Sequence, residues 1–552
     1  MKKLMIILMA ALPMFAMAQD KVNVKVDSVG KLATQLGDQK FKVADLTVSG
    51  ALNGADLKLL QEIVTRNKVK NPDECLVTAL DISGISIVEG KEGMKTQADE
   101  LPKGLFSGAK YLTKVVLPTS VKAISKGCFS GCNTLSNVTI PANITTIEVE
   151  AFQDCENLTS ITLPAGLKIL GNEAFEGCKS LTSITLPKGL SEIAPQAFSK
   201  CKSLKTINIP DGVKKIGGSA FKSCESLTNM VLPKSVNEIE SSAFDGCTAL
   251  QTIEMASVSD VEASAFKGCK SLKSVKFDNI AKLGQIAFMN CTSLQTVEMK
   301  GNLTDVNTAA FQGCTSLKQV VLPSTVKVIS THAFEDCKSL ATINFPSSLT
   351  KINDSAFQGC SSLTDVELPQ SFKSLGDDAF KDCASLKSVV INGLIDEIEP
   401  KTFRKCGSLQ RIVLPNTVKR IGSDAFNGCS MLSDINWPPA LKTIENAAFE
   451  KCSSLREISF PNGLKSIGGD TFKGCSLLTT VDIPATVKEI GGSAFQECKA
   501  LTTVTINCGT PPSISGDTFK GSNPNILIPN GSMDVYMTNK KWAKQRGVKE
   551  NK

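Results

Sequence analysis

One phenylalanine recurs along this chain at a near-constant interval. It stands at nineteen positions from Phe106 to Phe519, in most copies inside Ala-Phe-x-x-Cys, and the interval is 23 residues apart from two steps of 22 and one of 24. A sequence with a fixed period of roughly 20 to 50 residues folds as stacked copies of one small unit, because a single copy cannot bury its own apolar side. Such an array escapes the limit that would otherwise divide 552 residues into several globular domains, since each unit meets only its neighbours.

The unit from Phe175 to Phe198 shows what one copy makes. Leu181, Ile184 and Leu186 begin a strand whose inward positions alternate with Ser183 and Thr185, the period of two expected of a half-buried strand. Pro187 ends it, because proline has no N–H to continue a ladder. A second apolar pair, Leu190 and Ile193, precedes a tight turn or single helical turn carrying Ala197 and Phe198. Each coil is therefore expected to run strand, turn, strand, turn. Phe175, Phe198 and Phe357, with Cys178, Cys201 and Cys360 three residues after them, are expected on continuous internal ladders.

With its L-x-x-I-x-L-P, x-x-I-G and A-F-x-G-C segments, the unit resembles the BspA-like class of bacterial leucine-rich repeats over about residues 101 to 520. The resemblance implies a β-rich (α/β-type) leucine-rich-repeat solenoid of about nineteen coils with a small α/β N-terminal cap and a short C-terminal cap. It also implies a secreted or surface protein of the kind found in gut and oral anaerobes, several of which are regarded as adhesins. Fold does not fix function, so these remain expectations.

Four regions follow. Residues 1–18 read as a signal peptide: Lys2 and Lys3 precede an apolar run from Leu4 to Phe15, and Ala16-Met17-Ala18 forms a small-residue cleavage site before Gln19. Export to the extracellular space, the cell surface or the periplasm is expected. Residues 19–100 form an N-terminal cap, with strands at Val22-Val24-Val26 and Leu46-Thr47-Val48, helices near Lys31 to Leu36 and Asp56 to Val64, and a degenerate first repeat at Leu80-Asp81-Ile82-Ser83. Residues 101–520 are the array, and 521–552 a C-terminal cap in which Ile526-Leu527-Ile528-Pro529 supplies the last strand and Ser532 N-caps a helix bearing Tyr536 and Trp542. After the leader no apolar run approaches the roughly 18 residues of a membrane span.

Charge and reactive residues argue against catalysis and against nucleic acid. The formal charge of +7 becomes +5 when Lys2 and Lys3 leave with the leader, and basic and acidic residues are interspersed with no polybasic block. The single histidine, His332, occupies a turn position that other repeats fill with Ser, Glu, Gln or Asp, and is expected to face solvent. Asp365 and Glu367 would suit glycosidase chemistry only in a cleft, and they lie two apart on one exposed strand. Seventeen of the 20 cysteines share one repeat position. Stacking places their backbones within disulfide range, but side chains in a ladder run parallel, so buried thiols are expected. Cys128 and Cys132 form a lone CxxxC, weak grounds for a metal. No metal, cofactor or catalytic residue is expected.

Recognition would fall to the outward strand positions, eight and ten residues after each phenylalanine. Most are Ser or Thr, as at Ser160, Thr162, Thr206, Thr296, Thr342 and Thr505, which suit a wet strand. From Met255 to Gly301 three successive units lack the strand-ending proline, two are one residue short, and Glu254, Lys276 and Glu298 stand outward. Ile391-Asn392-Gly393-Leu394 also lacks it, near Arg411, with Asp365 and Glu367 on the preceding coil. These six charged residues are the expected contact zone for a protein or polymeric surface ligand, a host matrix or a neighbouring cell. The competing expectation is a structural spacer or envelope scaffold with no specific ligand.

Overall fold

The computed structural model describes residues 21–68, 70, 74 and 76–551. The expected signal peptide and Cys75 lie outside them. The chain is a β-solenoid of about 23 turns with parallel strands and little helix. That exceeds the nineteen phenylalanine-bearing coils because strands from both ends join the same kind of ladder. Two compact units divide the chain, one up to Gly189 and one from Leu190 onward.

In the first unit Lys21–Val26, Asp45–Leu52, Ala79–Ile87, Lys114–Val116 and Asn137–Thr139 form one parallel sheet in chain order. Helices Leu32–Leu36 and Gly54–Val64 connect its first three strands. The longer helix starts two residues before Asp56 because Asn53 caps it, its Oδ1 accepting from the N–H groups of Ala55 and Asp56 at 3.1 and 3.0 Å. Asp56, only 2% exposed, accepts in turn from the backbone N–H groups of Asn53, Gly30 and Leu32 at 3.3, 2.7 and 3.0 Å. A buried carboxylate without partners would be costly; with three donors it ties the helix start to the preceding loop. Further along the same unit, Phe106, Phe129, Phe152 and Phe175 stack with ring centroids 5.6, 5.4 and 5.3 Å apart.

In the second unit most coils lay down two strands about a buried phenylalanine. The second strands pair coil to coil, at 22 residues in the shortened coils and at 23 in the run Glu397–Ile398, Arg420–Ile421, Thr443–Ile444, Ser466–Ile467 and Glu489–Ile490, whose isoleucines face inward. Phe357 packs between Phe334 and Phe380 at 5.3 and 5.2 Å, its ring within 13° and 2° of theirs. Phe198 likewise stacks on Phe221 at 5.6 Å. The corner that carries the ring is a turn and not a helical turn, since residues two before and two after the phenylalanine take left-handed backbone: Ser355 has φ 54 and Gly359 φ 75. Those torsions reverse the chain twice within five residues, which a helix cannot do.

The nineteen described cysteines are buried and none is in a disulfide. Ladder thiols instead donate to the carbonyl of the preceding coil's phenylalanine, as Cys178 does to Phe152 and Cys360 to Phe334, both at 3.2 Å. Cys201 is equally buried. Desolvation drives the ionisation of Cys132 and Cys498 upward, to about 12.

At the C-terminus three expectations are corrected. Asn525–Ile528 is followed by one more parallel strand, Val548–Glu550. Ser532 makes no capping bond to helix Met533–Thr538; the Glu550 carboxylate on that added strand accepts from the N–H groups of Gly531 and Met533 at 2.9 and 3.2 Å and takes the capping role. Trp542 lies outside the helix, in a short 3-10 turn. Its indole donates to Pro512 O and the Tyr536 hydroxyl to Cys508 O, both at 2.7 Å, so both large rings are buried with their polar ends satisfied.

Candidate functional site

The unusual coils differ from the others because a backbone N–H has been restored. Ser274–Ile280 and Thr296–Gly301 run to seven and six residues, whereas coils with proline twelve positions after phenylalanine make first strands of at most four. The shortened coils bring a register shift between Phe277 and Ile280, absorbed opposite Gly301. Gly301 has φ 128, and a Cβ there would sit 2.4 Å from Ile280 O. Thr252–Glu254 stays at three residues although Ala256 replaces the proline, so the missing proline permits extension without compelling it.

On this surface Lys276 lies beside Glu298 in register. Lys276 is also 4.0 Å from Asp278 along its own strand, and Glu298 is 3.5 Å from Lys300. Signs thus alternate along and across the strands, with Glu254 exposed on the strand before. At the exposure of these side chains, each pair contributes little to stability.

The second zone is also brought together. Asp365, Ser388, Arg411 and Asp434 occupy one lateral row, and Glu367 leads a parallel row through Val390 and Val413. Arg411 Nε lies 3.1 Å from Asp434 Oδ2, a partner the sequence reading did not single out. Asn392, where other coils have proline, adds a ladder bond from its N–H to Leu368 O at 3.1 Å, and its Nδ2 donates to Glu367 Oε1 at 3.2 Å. Asn507 repeats both bonds, to Ile483 O at 2.9 Å and Asp482 Oδ1 at 2.6 Å. Proline is therefore replaced by a residue that supplies one extra rung and anchors a carboxylate of the preceding coil.

His332 is half-exposed in a left-handed turn, φ 57, with Nδ1 2.9 Å from Glu335 Oε2. Asp365 and Glu367 alternate on an open strand. Cys132 donates to Phe106 O at 3.1 Å, and among the described residues no three His, Cys, Asp or Glu side chains gather in metal-binding geometry.

Sequence reasoning missed a charged cluster on the second strand row. Arg420 Nε bonds Glu397 Oε2 at 2.7 Å, and its terminal nitrogens bond Glu399 and Glu445 at 2.8 and 3.0 Å. Burial alone would lower the guanidinium's pKa, but Glu397, Glu445 and Glu399 together hold it above its ordinary value. To one side lies a groove of about 320 Å³ lined by Asp354, Asp377 and Glu399, where burial and then Asp354 and Asp378 push the Asp377 carboxyl upward. To the other lies one of about 260 Å³ lined by Ser423, Glu445, Asn446 and Gly468. The signal was available: Glu397 and Arg420 are one period apart and so must be lateral neighbours.

A parallel solenoid of strand-turn-strand coils, with one aromatic per coil on an internal ladder, is a leucine-rich-repeat architecture. The BspA-type leucine-rich-repeat family model matches residues 99–228, 214–341, 281–410 and 396–525, and the chain belongs to that family. A leucine-rich repeat protein from Bacteroides ovatus is similar at 28% identity and TM-score 0.50, over 71% of this chain and 87% of its own. A leucine rich cell surface protein from Faecalibacterium prausnitzii matches at 24% identity and TM-score 0.33, over 58% of this chain and 86% of its own. No curated relative matches the sequence. Among the described residues no helix is long and apolar enough to cross a membrane.

Proposed function

We propose that this chain is an exported, non-catalytic binding protein of the cell surface or extracellular space, engaging a protein or polymeric ligand of a host matrix or neighbouring cell through its outward first-strand face. The leader pattern supports export, with cleavage after Ala18 and residues 19–100 and 521–552 acting as caps. The observation that carries the binding assignment is the gathering of Asp365, Glu367 and Arg411 with exposed Leu394 on adjacent coils, against a background of Ser and Thr. Leu394 is 71% exposed where neighbouring coils use Ser371 and Thr417 to bond preceding carbonyls, so it gives up structural bonds to present an apolar side chain. Broad, shallow contact suits such a face.

The spacer reading retains one specific support, the alternating signs at Lys276, Asp278, Glu298 and Lys300, which neutralise one another without a partner. Titrating the mature chain against immobilised matrix proteins and whole cells separates the two. Saturable binding that weakens about tenfold in the variant Asp365→Asn/Glu367→Gln/Arg411→Gln/Leu394→Ser supports recognition. Absence of saturable binding to every surface leaves the spacer.

A further inference from the structure

Lys419, Lys442, Lys465 and Lys488 are each 23 residues apart and immediately precede the second strand of four successive coils. The chain holds them in register: the N–H groups of Lys442, Lys465 and Lys488 donate to the carbonyls of Lys419, Lys442 and Lys465 at 2.8, 2.8 and 2.9 Å. All four side chains are exposed. Adjacent strands lie about 4.8 Å apart, so the lysines make a straight row of positive charge along the local coil axis. Lys419 pairs with Asp396 at 3.0 Å, and Glu489 stands beside Lys488 in sequence, but Lys442, Lys465 and Lys488 form no ion pair within 4.0 Å among the described residues.

Like charges side by side on neighbouring strands destabilise a sheet. Four in succession, three of them uncompensated, leave a row whose field an external anion would relieve. Beside it runs the 260 Å³ groove, lined by the hydroxyls of Ser423, Thr443 and Ser466, the Asn446 amide, Gly468 and the carboxylates of Glu445 and Glu489, and by no aromatic side chain; Glu445 is held by Arg420 and Ser423 at 3.0 Å, and Glu489 stands next to Lys488. Hydroxyls and amides bond sugar hydroxyls, whereas single-stranded nucleic acid is gripped by stacking bases on aromatic rings.

We propose that this row and its groove bind an acidic polysaccharide, a linear chain whose carboxylates follow the lysines while its hydroxyls meet the groove. The site lies on the second strand row and does not depend on the ligand face proposed above. Counterion release by a polyanion makes such binding fall steeply with salt.

The test titrates the full chain with polygalacturonate, neutral dextran and a single-stranded DNA of equal charge, at several ionic strengths. Saturable binding to polygalacturonate, with DNA weaker and dextran silent, is the expected result. The variant Lys442→Gln/Lys465→Gln/Lys488→Gln is expected to weaken polygalacturonate binding by about tenfold or more and to flatten the dependence of log affinity on log salt by about two. The control Lys273→Gln/Lys318→Gln/Lys387→Gln removes equal charge from exposed positions on non-adjacent coils and is expected to stay within about twofold of the parent. No saturable binding by the parent chain, equal loss in both variants, binding of dextran as tightly as polygalacturonate, or tighter binding of DNA each overturns the proposal.

Discussion

The Cys360 thiol donates to the carbonyl of Phe334 at 3.2 Å, and one period later Cys383 does the same to Phe357. In the final coil Ser522 takes the position and its hydroxyl bonds Phe495 O at 2.7 Å. The recurring cysteine is thus a small donor on an apolar ladder, and serine already performs the role once. Cys360→Ser should change stability by less than about 1 kcal/mol, whereas Cys360→Ala, which removes the donor and leaves a small void, should cost about 1–3 kcal/mol. Urea denaturation of both variants checks this, and equal losses would deny the hydrogen bond its part.

The same burial fixes an alkaline limit. Desolvation raises Cys132 from 9.0 to about 12 in the folded chain. Above pH 9 the unfolded thiol loses its proton while the folded one keeps it, so the unfolded state binds fewer protons and stability falls as pH rises. The contribution is complete below pH 9 and is lost progressively toward pH 12. Urea midpoints should therefore fall from about pH 9 upward, and the native ladder thiols should resist iodoacetamide at pH 8 until the chain is unfolded. Rapid alkylation of a ladder cysteine in the folded protein, located by peptide mapping, would contradict the buried ladder.

Phe357→Ala should cost about 3–5 kcal/mol, because the ring is fully buried between Phe334 and Phe380. Since each coil meets only its neighbours, the loss should appear as local fraying. Hydrogen exchange resolved by coil is expected to show protection lost near residues 334–380 and retained near residues 449–495; uniform loss would mean the array melts as one body.

The period of 23 made the ladders legible, because a side chain that recurs at one position in every coil can only meet its copies. The second helix was legible from its own residues, but its start at Gly54, two residues ahead of the expected Asp56, was not. Nor were the contacts near the C-terminus. Glu550 replaces Ser532 as helix cap through a strand formed by 548–550, a segment with no periodic neighbour to suggest pairing. Of the six charged residues read as a contact zone, the structure sets Lys276 beside Glu298, and Asp365 and Arg411 on one row, but places Glu254 on a strand outside their ladder. The Arg420 cluster and the lysine row lie on the same period of 23 and were within its reach, but a reading that followed the apolar positions and the first-strand face passed over them.

Ile286 takes φ 51, in a left-handed position where most coils place Ser, Asp, Ala, Glu or Lys. A β-branched residue is strained there. Ile286→Asn should stabilise by about 1 kcal/mol, because asparagine tolerates this backbone. An unchanged or lower melting temperature would show that packing of the isoleucine side chain outweighs its strain.

Replacing residues 254–302 with two regular, proline-bearing coils should shorten the strands now spanning Ser274–Ile280 and Thr296–Gly301, since proline withdraws the N–H that extends them. It also removes Lys276, Asp278, Glu298 and Lys300, whose exposed pairs contribute little to folding. Stability should therefore be kept or raised, and the readout is binding to whichever matrix surface the parent chain engages. A loss of affinity would place the ligand on the extended strands; unchanged affinity would remove Glu254, Lys276 and Glu298 from the contact zone. The face around Asp365, Glu367 and Arg411 would then remain as the stronger candidate, because its carboxylate at Glu367 is held in place by Asn392 at 3.2 Å and not neutralised by a lysine.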